Sequence, residues 1–223
     1  MPKNKLDIIY EDKNILVINK KSGLNTIGTD KDKYHSLYHY VYEYVHKKNK
    51  NNRIFIVHRL DRDTSGVILF SKSDKLKKDL QDNWDNYVTN REYIGIIEGH
   101  LKDKKGSIKL YLNENSEHYV YVTDNRHGHI SITNYEVIKE TKNNSVVRIN
   151  IETGRKNQIR VVFAYLGHPL IGDKKYGSKY NNTNMLLHAY KLKLYYPVIK
   201  KEIEFVAPLP SYFNKYIDYT ELK

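Results

Sequence analysis

No cysteine occurs in the 223 residues, which removes disulfides, thiolate zinc sites and cysteine nucleophiles together. Nor is there an apolar run long enough for a membrane span, and the N-terminus Met1-Pro2-Lys3-Asn4-Lys5 lacks the apolar core of a secretory leader. A cytoplasmic protein with no membrane association is expected. No internal repeat, low-complexity tract or convincing interdomain linker interrupts the chain, and its length is enough to bury a substantial core, so one domain over residues 1–223 is expected. Acidic residues are in deficit: 26 Asp and Glu face 38 Lys and Arg, for a net charge of +12. A basic balance of this size attracts polyanions through counterion release, although solvated lysines that merely keep a chain soluble produce it too. Twenty-one tyrosines offer stacking surface, many of them as ordinary core or boundary residues.

Between two apolar runs lies the most informative segment. Ile54-Phe55-Ile56-Val57 precedes His58-Arg59-Leu60-Asp61-Arg62-Asp63-Thr64-Ser65-Gly66, and Val67-Ile68-Leu69-Phe70 follows it. Both runs are rich in β-branched and aromatic residues, which predicts buried strands and a connection held at both ends. Arg59 and Arg62 flank Asp61. A facing guanidinium favours the ionised carboxylate, which suits a nucleophile or electrostatic stabiliser and makes a poor proton donor. Taken alone, a charged turn between strands is more often a solvated loop than a catalytic one.

Elsewhere the spacing predicts a strand over Asn14 to Ile18, then a helix capped by Ser36 with Leu37, Tyr40, Val41, Tyr44 and Val45 on its apolar side. His35, His39, Glu43 and His46 fall on the opposite side, a conceivable metal patch that a solvated polar face explains more simply. Lys47 to Arg53 is a polar, basic connector. Ser73 can cap a helix carrying Leu76, Leu80 and Trp84, and Tyr93 to Ile97 resumes strand character. Ser107 to Glu152 alternates β-rich runs with turns such as Asp124-Asn125-Arg126-His127-Gly128. Gln158 to Leu166 places Ile159, Val162, Phe163 and Leu166 on one helical stripe, Arg160 on the opposite side, and Gly167 at the C-terminal cap.

The segment His58-Arg59-Leu60-Asp61-x-x-Thr64-Ser65-Gly66 resembles the signature of the RluA family of pseudouridine synthases. Downstream, Thr153-Gly154-Arg155-Lys156-Asn157-Gln158-Ile159-Arg160-Val161 and Gly167-His168-Pro169-Leu170-Ile171-Gly172-Asp173, with Tyr176-Gly177, are similar to a second family motif, with departures at Lys156, Asn157, Val162 and Phe163. Arg91-Glu92-Tyr93-Ile94-Gly95-Ile96-Ile97-Glu98-Gly99 resembles a third, and Leu187-His188-Ala189 a fourth, with Ala207-Pro208-Leu209-Pro210 beyond it. The N-terminal run fits as well, except that Lys20-Lys21 stands where the family carries Lys-Pro, so one loop lacks proline's fixed φ. These pieces occur in the family's order from about Asp7 to Pro210.

The resemblance implies an α+β fold with a mixed, mainly antiparallel central sheet, flanking helices and a catalytic cleft. It implies a cofactor-independent, metal-free conversion of uridine to pseudouridine in structured RNA, ribosomal large-subunit RNA or transfer RNA. Asp61 would be the catalyst, Tyr93 would stack on the base and could accept the C5 proton, and Arg160 would pair with Asp61. Arg59 would fill the space of the extruded base or bind nearby phosphate, Ile159 would touch the uracil, and His58 and Arg155 would join them in binding substrate. Asp63, Thr64, Ser65 and Asp173 would fix local turns. Outside the motif frame, Tyr93 is better explained as one more buried tyrosine, and Arg160 as the partner of a surface carboxylate. A monomer without an obligate protein partner is expected, in a compact form without the N-terminal S4-type RNA-binding domain. Two other classes of function compete: a catalytically inactive RNA-binding or ribosome-assembly protein of the same fold, and a metal-dependent nuclease built on Asp61 and Asp63, for which no convincing further ligands appear.

Overall fold

A computed structural model describes residues 6–29, 32–180 and 183–222; Met1–Lys5, on which the expectation about a leader rests, lie outside the described residues. In chain order the first elements are β1 (Ile8–Glu11), β2 (Ile15–Lys20), α1 (Leu37–Lys48), β3 (Phe55–Ile56), β4 (Ser65–Ser71), α2 (Asp74–Asp82) and the single turn α3 (Trp84–Tyr87). There follow β5 (Val88–Glu98), β6 (Lys105–Glu114), β7 (Val120–Thr123), β8 (His129–Glu140), β9 (Asn144–Ile151), α4 (Gln158–Tyr165), β10 (Leu187–Tyr196) and β11 (Lys201–Val206). These form two compact units, Met1–Asn90 with Ala189–Pro208, and Arg91–His188 with Leu209–Lys223. Mixed strands and few helices make the α+β class, and among the described residues no helix is long and apolar enough to cross a membrane.

In the first unit the strands run in the order β1-β2-β4-β10, with β11 antiparallel on β10 and β3 antiparallel on β4. Asp12 closes the β1–β2 turn by accepting from the Asn14 and Ile15 amides at 2.7 Å. All seven residues of β4 are buried, and its unbroken apolar run suits a strand covered on both faces. Val67 and Leu69 pack with Ile15 and Val17 against Leu76 and Leu80 of α2, while α1 buries Leu37, Val41 and Val45. At the start of β4, Gly66 adopts φ +114°, and a Cβ there would lie 2.1 Å from the Ala189 carbonyl oxygen, so only glycine fits.

The serine caps form as the sequence predicts: Ser36 accepts from the His39 amide at 3.2 Å, and Ser73 from the Leu76 amide at 3.4 Å. Two expectations change. The helix that begins after Ser73 stops at Asp82 rather than running through Trp84: Asn83 leaves the helical region (φ −107°, ψ 19°), and its side chain folds back onto the Asp79 carbonyl (3.1 Å) and carboxylate (3.0 Å). The apolar run Ile54–Val57 pairs only at Phe55 and Ile56, since Gln81 Nε2 donates to the Ile56 and Val57 carbonyls at 3.3 and 2.8 Å.

The second unit is an antiparallel sheet in the order β5-β9-β8-β6-β7, so the strand-rich middle of the chain is one sheet in which β6 pairs with both β7 and β8. Helix α4 contributes Ile159 and Phe163 to a core with Ile97, Val147, Ile149 and Leu170. Its whole run Gln158–Phe163 is buried, so Arg160 does not leave toward solvent as the one-stripe pattern suggests. Gly167 takes φ +81° just beyond the helix, the left-handed cap expected there.

A charge cluster ties three elements of the first unit together. Glu11 accepts from Lys72 Nζ (2.8 Å), Lys48 Nζ (2.9 and 3.0 Å) and the Tyr44 hydroxyl (2.7 Å). Burial works to raise the Glu11 carboxyl, but the donors Lys72, Lys48 and Tyr44 outweigh it and hold the group down at about 2. Its stabilising effect is therefore present above the ordinary carboxylate range and lost as pH falls toward 2. Glu11→Gln is expected to cost about 2 kcal/mol at neutral pH, measured by urea unfolding. The gap to the native protein should close between roughly pH 4 and pH 2, where the unfolded carboxylate titrates first; a gap constant across that window would rule the cluster out as the cause.

Candidate active site

In the first unit the chain from Val57 to Thr64 crosses between β3 and β4 and carries Asp61 at its bend. The Asp61 carbonyl accepts from the Thr64 amide at 3.2 Å, closing a turn. On one side, Thr26 Oγ1 donates to the Leu60 carbonyl at 2.9 Å, and the Leu60 amide lies 3.4 Å from the same oxygen. On the other, the Arg62 carbonyl accepts from the Gly23 amide (2.9 Å), Arg62 Nε donates to the Gly23 carbonyl (3.2 Å), and the Ser22 hydroxyl donates to the Asp63 carbonyl (2.7 Å). Leu60, Thr64 and Ser65 are buried, Asp61 is half-buried and Arg59 is exposed. The backbone of the turn is thus anchored on both sides of a carboxylate that stays within reach of solvent.

His58 has a defined local task. Its Nε2 accepts from the Leu69 amide of β4 at 3.1 Å, and its ring packs on Trp84 with centroids 5.0 Å apart. The ring holds the entrance of the turn against β4 and α3, a role the sequence reading did not assign to it.

Sequence reasoning also missed Lys20. Its side chain is fully buried at the end of β2, and Nζ donates to the carbonyls of Lys21 (3.1 Å), Leu24 (2.8 Å) and Arg62 (2.9 Å). Three carbonyls converging on one nitrogen use all three donors of an ammonium. Burial pulls the group down to about 7, against the attraction of the Asp63 and Asp61 carboxylates. The signal in the sequence was a lysine ending the apolar strand Ile15-Leu16-Val17-Ile18, where a solvated strand end is the default reading.

In the second unit Tyr93 sits in β5 opposite Ile149 of β9, half-buried, with its ring packed against the core around Ile97 and Phe163. Arg160 is buried, and its partner within this unit is Asp173. Nε donates to Asp173 Oδ2 and Nη2 to Oδ1, both at 2.8 Å, in the two-pronged geometry that fits guanidinium to carboxylate. Asp173 is 1% exposed, so it is not the surface carboxylate of the simpler explanation. It also caps the following turn by accepting from the Lys175 and Tyr176 amides at 3.2 and 3.3 Å, the local task expected of it.

Asn157 completes the clamp. It adopts φ +53°, which Asn tolerates better than most residues, accepts from Arg160 Nη1 at 3.0 Å, and donates to the Tyr176 hydroxyl at 3.1 Å. The Arg160 guanidinium lies over the Tyr176 ring at 5.0 Å. The departure at Asn157 thus still supplies a side chain that orients Arg160, and Lys156 pairs with Glu114. Arg155 is exposed, with Nε donating to the Ile130 carbonyl at 2.9 Å. Ile159 is 4% exposed and belongs to the core of this unit. The structure therefore gathers His58, Arg59 and Asp61 on one anchored turn of the first unit, and Arg155, Ile159 and Arg160 around the start of α4 in the second, with Tyr93 on β5.

Among the described residues no three His, Asp or Glu side chains come together to hold a metal ion. The histidines of α1 stack on tyrosines instead: His46 on Tyr42 at 3.8 Å, and His39 edge-on to Tyr34 at 5.2 Å.

Residues 14–165 match the RNA pseudouridylate synthase family. A relative from Bacillus subtilis, bearing the name uncharacterized RNA pseudouridine synthase YhcT, is 33% identical over 209 residues, covering 92% of this chain and 69% of its own length. The ribosomal large subunit pseudouridine synthase C of Rickettsia bellii is 34% identical over 219 residues, covering 93% and 70%. Among solved structures, human RNA pseudouridylate synthase domain containing 4 superposes with a TM-score of 0.78 at 23% identity, over 93% of this chain and 90% of that one, a likeness of fold.

Lys20→Met keeps the length and apolar stem of the side chain but leaves the Lys21, Leu24 and Arg62 carbonyls without their common donor. A loss of about 2–4 kcal/mol in urea unfolding is expected, together with faster proteolysis at Arg62. Because the native protein releases the Lys20 proton near 7 while the unfolded chain holds it into the ordinary lysine range, native stability should rise with pH across that window. The Met variant should lack this rise. Equal slopes in the two proteins would contradict the assignment.

Proposed function

The chain belongs to the RNA pseudouridylate synthase family and isomerises uridine to pseudouridine in RNA; we propose that Asp61 is the carboxylate that carries the reaction. What supports this choice is the anchored turn around it, held from Thr26, Gly23, Ser22 and Lys20 while Asp61 itself remains only half-buried. A reacting group fixed by its backbone on both sides loses little freedom on meeting substrate.

The reaction breaks the N1–C1′ bond, turns the freed uracil and joins C5 to C1′; the proton on C5 departs and N1 gains one, so no atom is added. Cleavage places positive character on the sugar, as in other glycosyl transfers. An ionised Asp61 answers that charge by stabilising the sugar, by forming an adduct at C1′, or by taking a sugar proton on a glycal route. Uracil is a tolerable leaving group that is retained, so no second carboxylate of the glycosidase kind is required. We assign Tyr93 to the face of the base and to the closing removal of the C5 proton, with its hydroxyl as the accepting group. Arg160 is the guanidinium we assign to the reacting site. Its clamp by Asp173 and Asn157 supports this role by fixing its direction before substrate arrives.

The target base must leave its stack, at a cost of about a few kcal/mol. Arg59, exposed beside Asp61 in sequence, is the side chain assigned to the vacated space, because a guanidinium stacks and donates to phosphate at once. Arg155 adds a second exposed cation for phosphate, and Ile159 an apolar contact for the uracil. The name of the Rickettsia relative favours large-subunit ribosomal RNA as substrate. Mapping pseudouridines in cells with and without this protein tests that choice, and loss of transfer-RNA sites alone would overturn it.

Asp61→Asn keeps the size of the side chain and removes its charge and nucleophilicity. Pseudouridine formation in single turnover is expected to fall by at least about a thousandfold, with RNA affinity within a few-fold of the native value. Near-native turnover would sink the assignment. Tyr93→Phe retains the stacking face and deletes only the hydroxyl. A large loss of rate at saturating enzyme with little change in affinity is expected, and equal rates would confine Tyr93 to packing.

A further inference from the structure

Helix α1 carries rings along the flank of its buried stripe Leu37, Val41 and Val45. Tyr38, Tyr42 and His46 recur every fourth residue, so they rise one above another along one face. Tyr42 and His46 are stacked at 3.8 Å with planes 26° apart, whereas Tyr38 and Tyr42 stand 6.4 Å apart and tilted by 37°. Tyr34, just before the helix, is 71% exposed and Tyr42 37%. Large aromatic surface left in water calls for an occupant. The row runs toward Lys47, Lys50 and Arg53, all exposed, and none of the three has an ion-pair partner among the described residues. Lys48, by contrast, is engaged with Glu11.

Flat rings followed by exposed cations match the two parts of a single RNA strand, its bases and its phosphates. The open step between Tyr38 and Tyr42 has a specific dimension. A base sandwiched between two rings needs roughly twice the ~3.4 Å rise of stacked bases, and 6.4 Å comes close to that once the half-buried Tyr38 ring and the exposed Tyr42 ring turn parallel. The closed pair Tyr42–His46 forms the floor beneath it.

We propose that this face of α1 is a docking site for an unpaired stretch of the substrate RNA lying outside the target uridine. One base inserts between Tyr38 and Tyr42, and the adjoining phosphates meet Lys47, Lys50 and Arg53. The proposal rests on the enzyme's RNA substrate and adds a second contact that positions that RNA without touching the reacting atoms. Its charge complement is the chain's net +12.

The test uses the full chain and a substrate RNA with a single-stranded flank in which one flanking base is 2-aminopurine, scanned along the flank. Stacking should quench the fluorescence at one flank position on binding to the native protein. Tyr42→Leu, a good helix former that lacks a ring, should abolish that quench and raise Kd about tenfold, with the saturated single-turnover rate unchanged. Tyr42→Phe should behave as native, and Lys50→Glu should weaken binding and flatten its salt dependence. A thermal melt of Tyr42→Leu checks that the helix is intact, and if it is not, the quench in the native protein and in Tyr42→Phe decides alone. Absence of quench at every flank position, or an unchanged Kd in folded Tyr42→Leu, overturns the docking site while leaving pseudouridine formation intact. Failure of the native protein to form pseudouridine at all would instead strike the enzymatic reading.

Discussion

One buried ammonium holds the geometry of the first unit's reactive turn. Lys20 Nζ collects the carbonyls of Lys21, Leu24 and Arg62, and so binds the end of β2, the loop after it and the turn of Asp61 to one point. Burying that charge is costly, and the Asp61 and Asp63 carboxylates offset part of the cost. The arrangement explains how the chain does without proline after Lys20: where a fixed φ would have stiffened the loop, hydrogen bonds from the ammonium, the Ser22 hydroxyl and the Gly23 amide stiffen it instead.

The second unit solves the matching problem for Arg160. A buried guanidinium needs partners for its donors, and Asp173 and Asn157 supply three bonds while the Tyr176 ring covers its face. Asp173 is itself held by the amides of Lys175 and Tyr176, and Asn157 by the Tyr176 hydroxyl. In both units a charge is buried to fix direction rather than to gain stability, which is the use such pairs serve best when their desolvation is expensive.

Much of this was legible in the sequence because local chemistry dictated it. Ser36 and Ser73 cap their helices, the apolar run Val67–Phe70 is a strand buried on both faces, and the segments from Ser107 to Glu152 are strands, each for reasons of side-chain shape and spacing alone. The failures are tertiary or competitive. Trp84 left the helix of Leu76 and Leu80 because Asn83 turns out of the helical region and folds its side chain back on Asp79, and Val57 left its strand because a side chain 24 positions away took its carbonyl. The partnership of Arg160 with Asp173, and of Lys20 with three carbonyls, depends on which chain segments meet, and periodicity carries no information about that. His58 was legible as part of a motif, but its bond to the Leu69 amide was not.

The central claim is that this chain moves the glycosidic bond of uridine from N1 to C5 within RNA, and forming the C5–C1′ bond must expel the hydrogen on C5. Incubating the purified protein with large-subunit ribosomal RNA tritiated at uridine C5, in the presence of chelator, measures that event directly. The account predicts tritium released to water in step with pseudouridine formed, from RNA of unchanged length. RNA that keeps its tritium, or that is shortened, would contradict it.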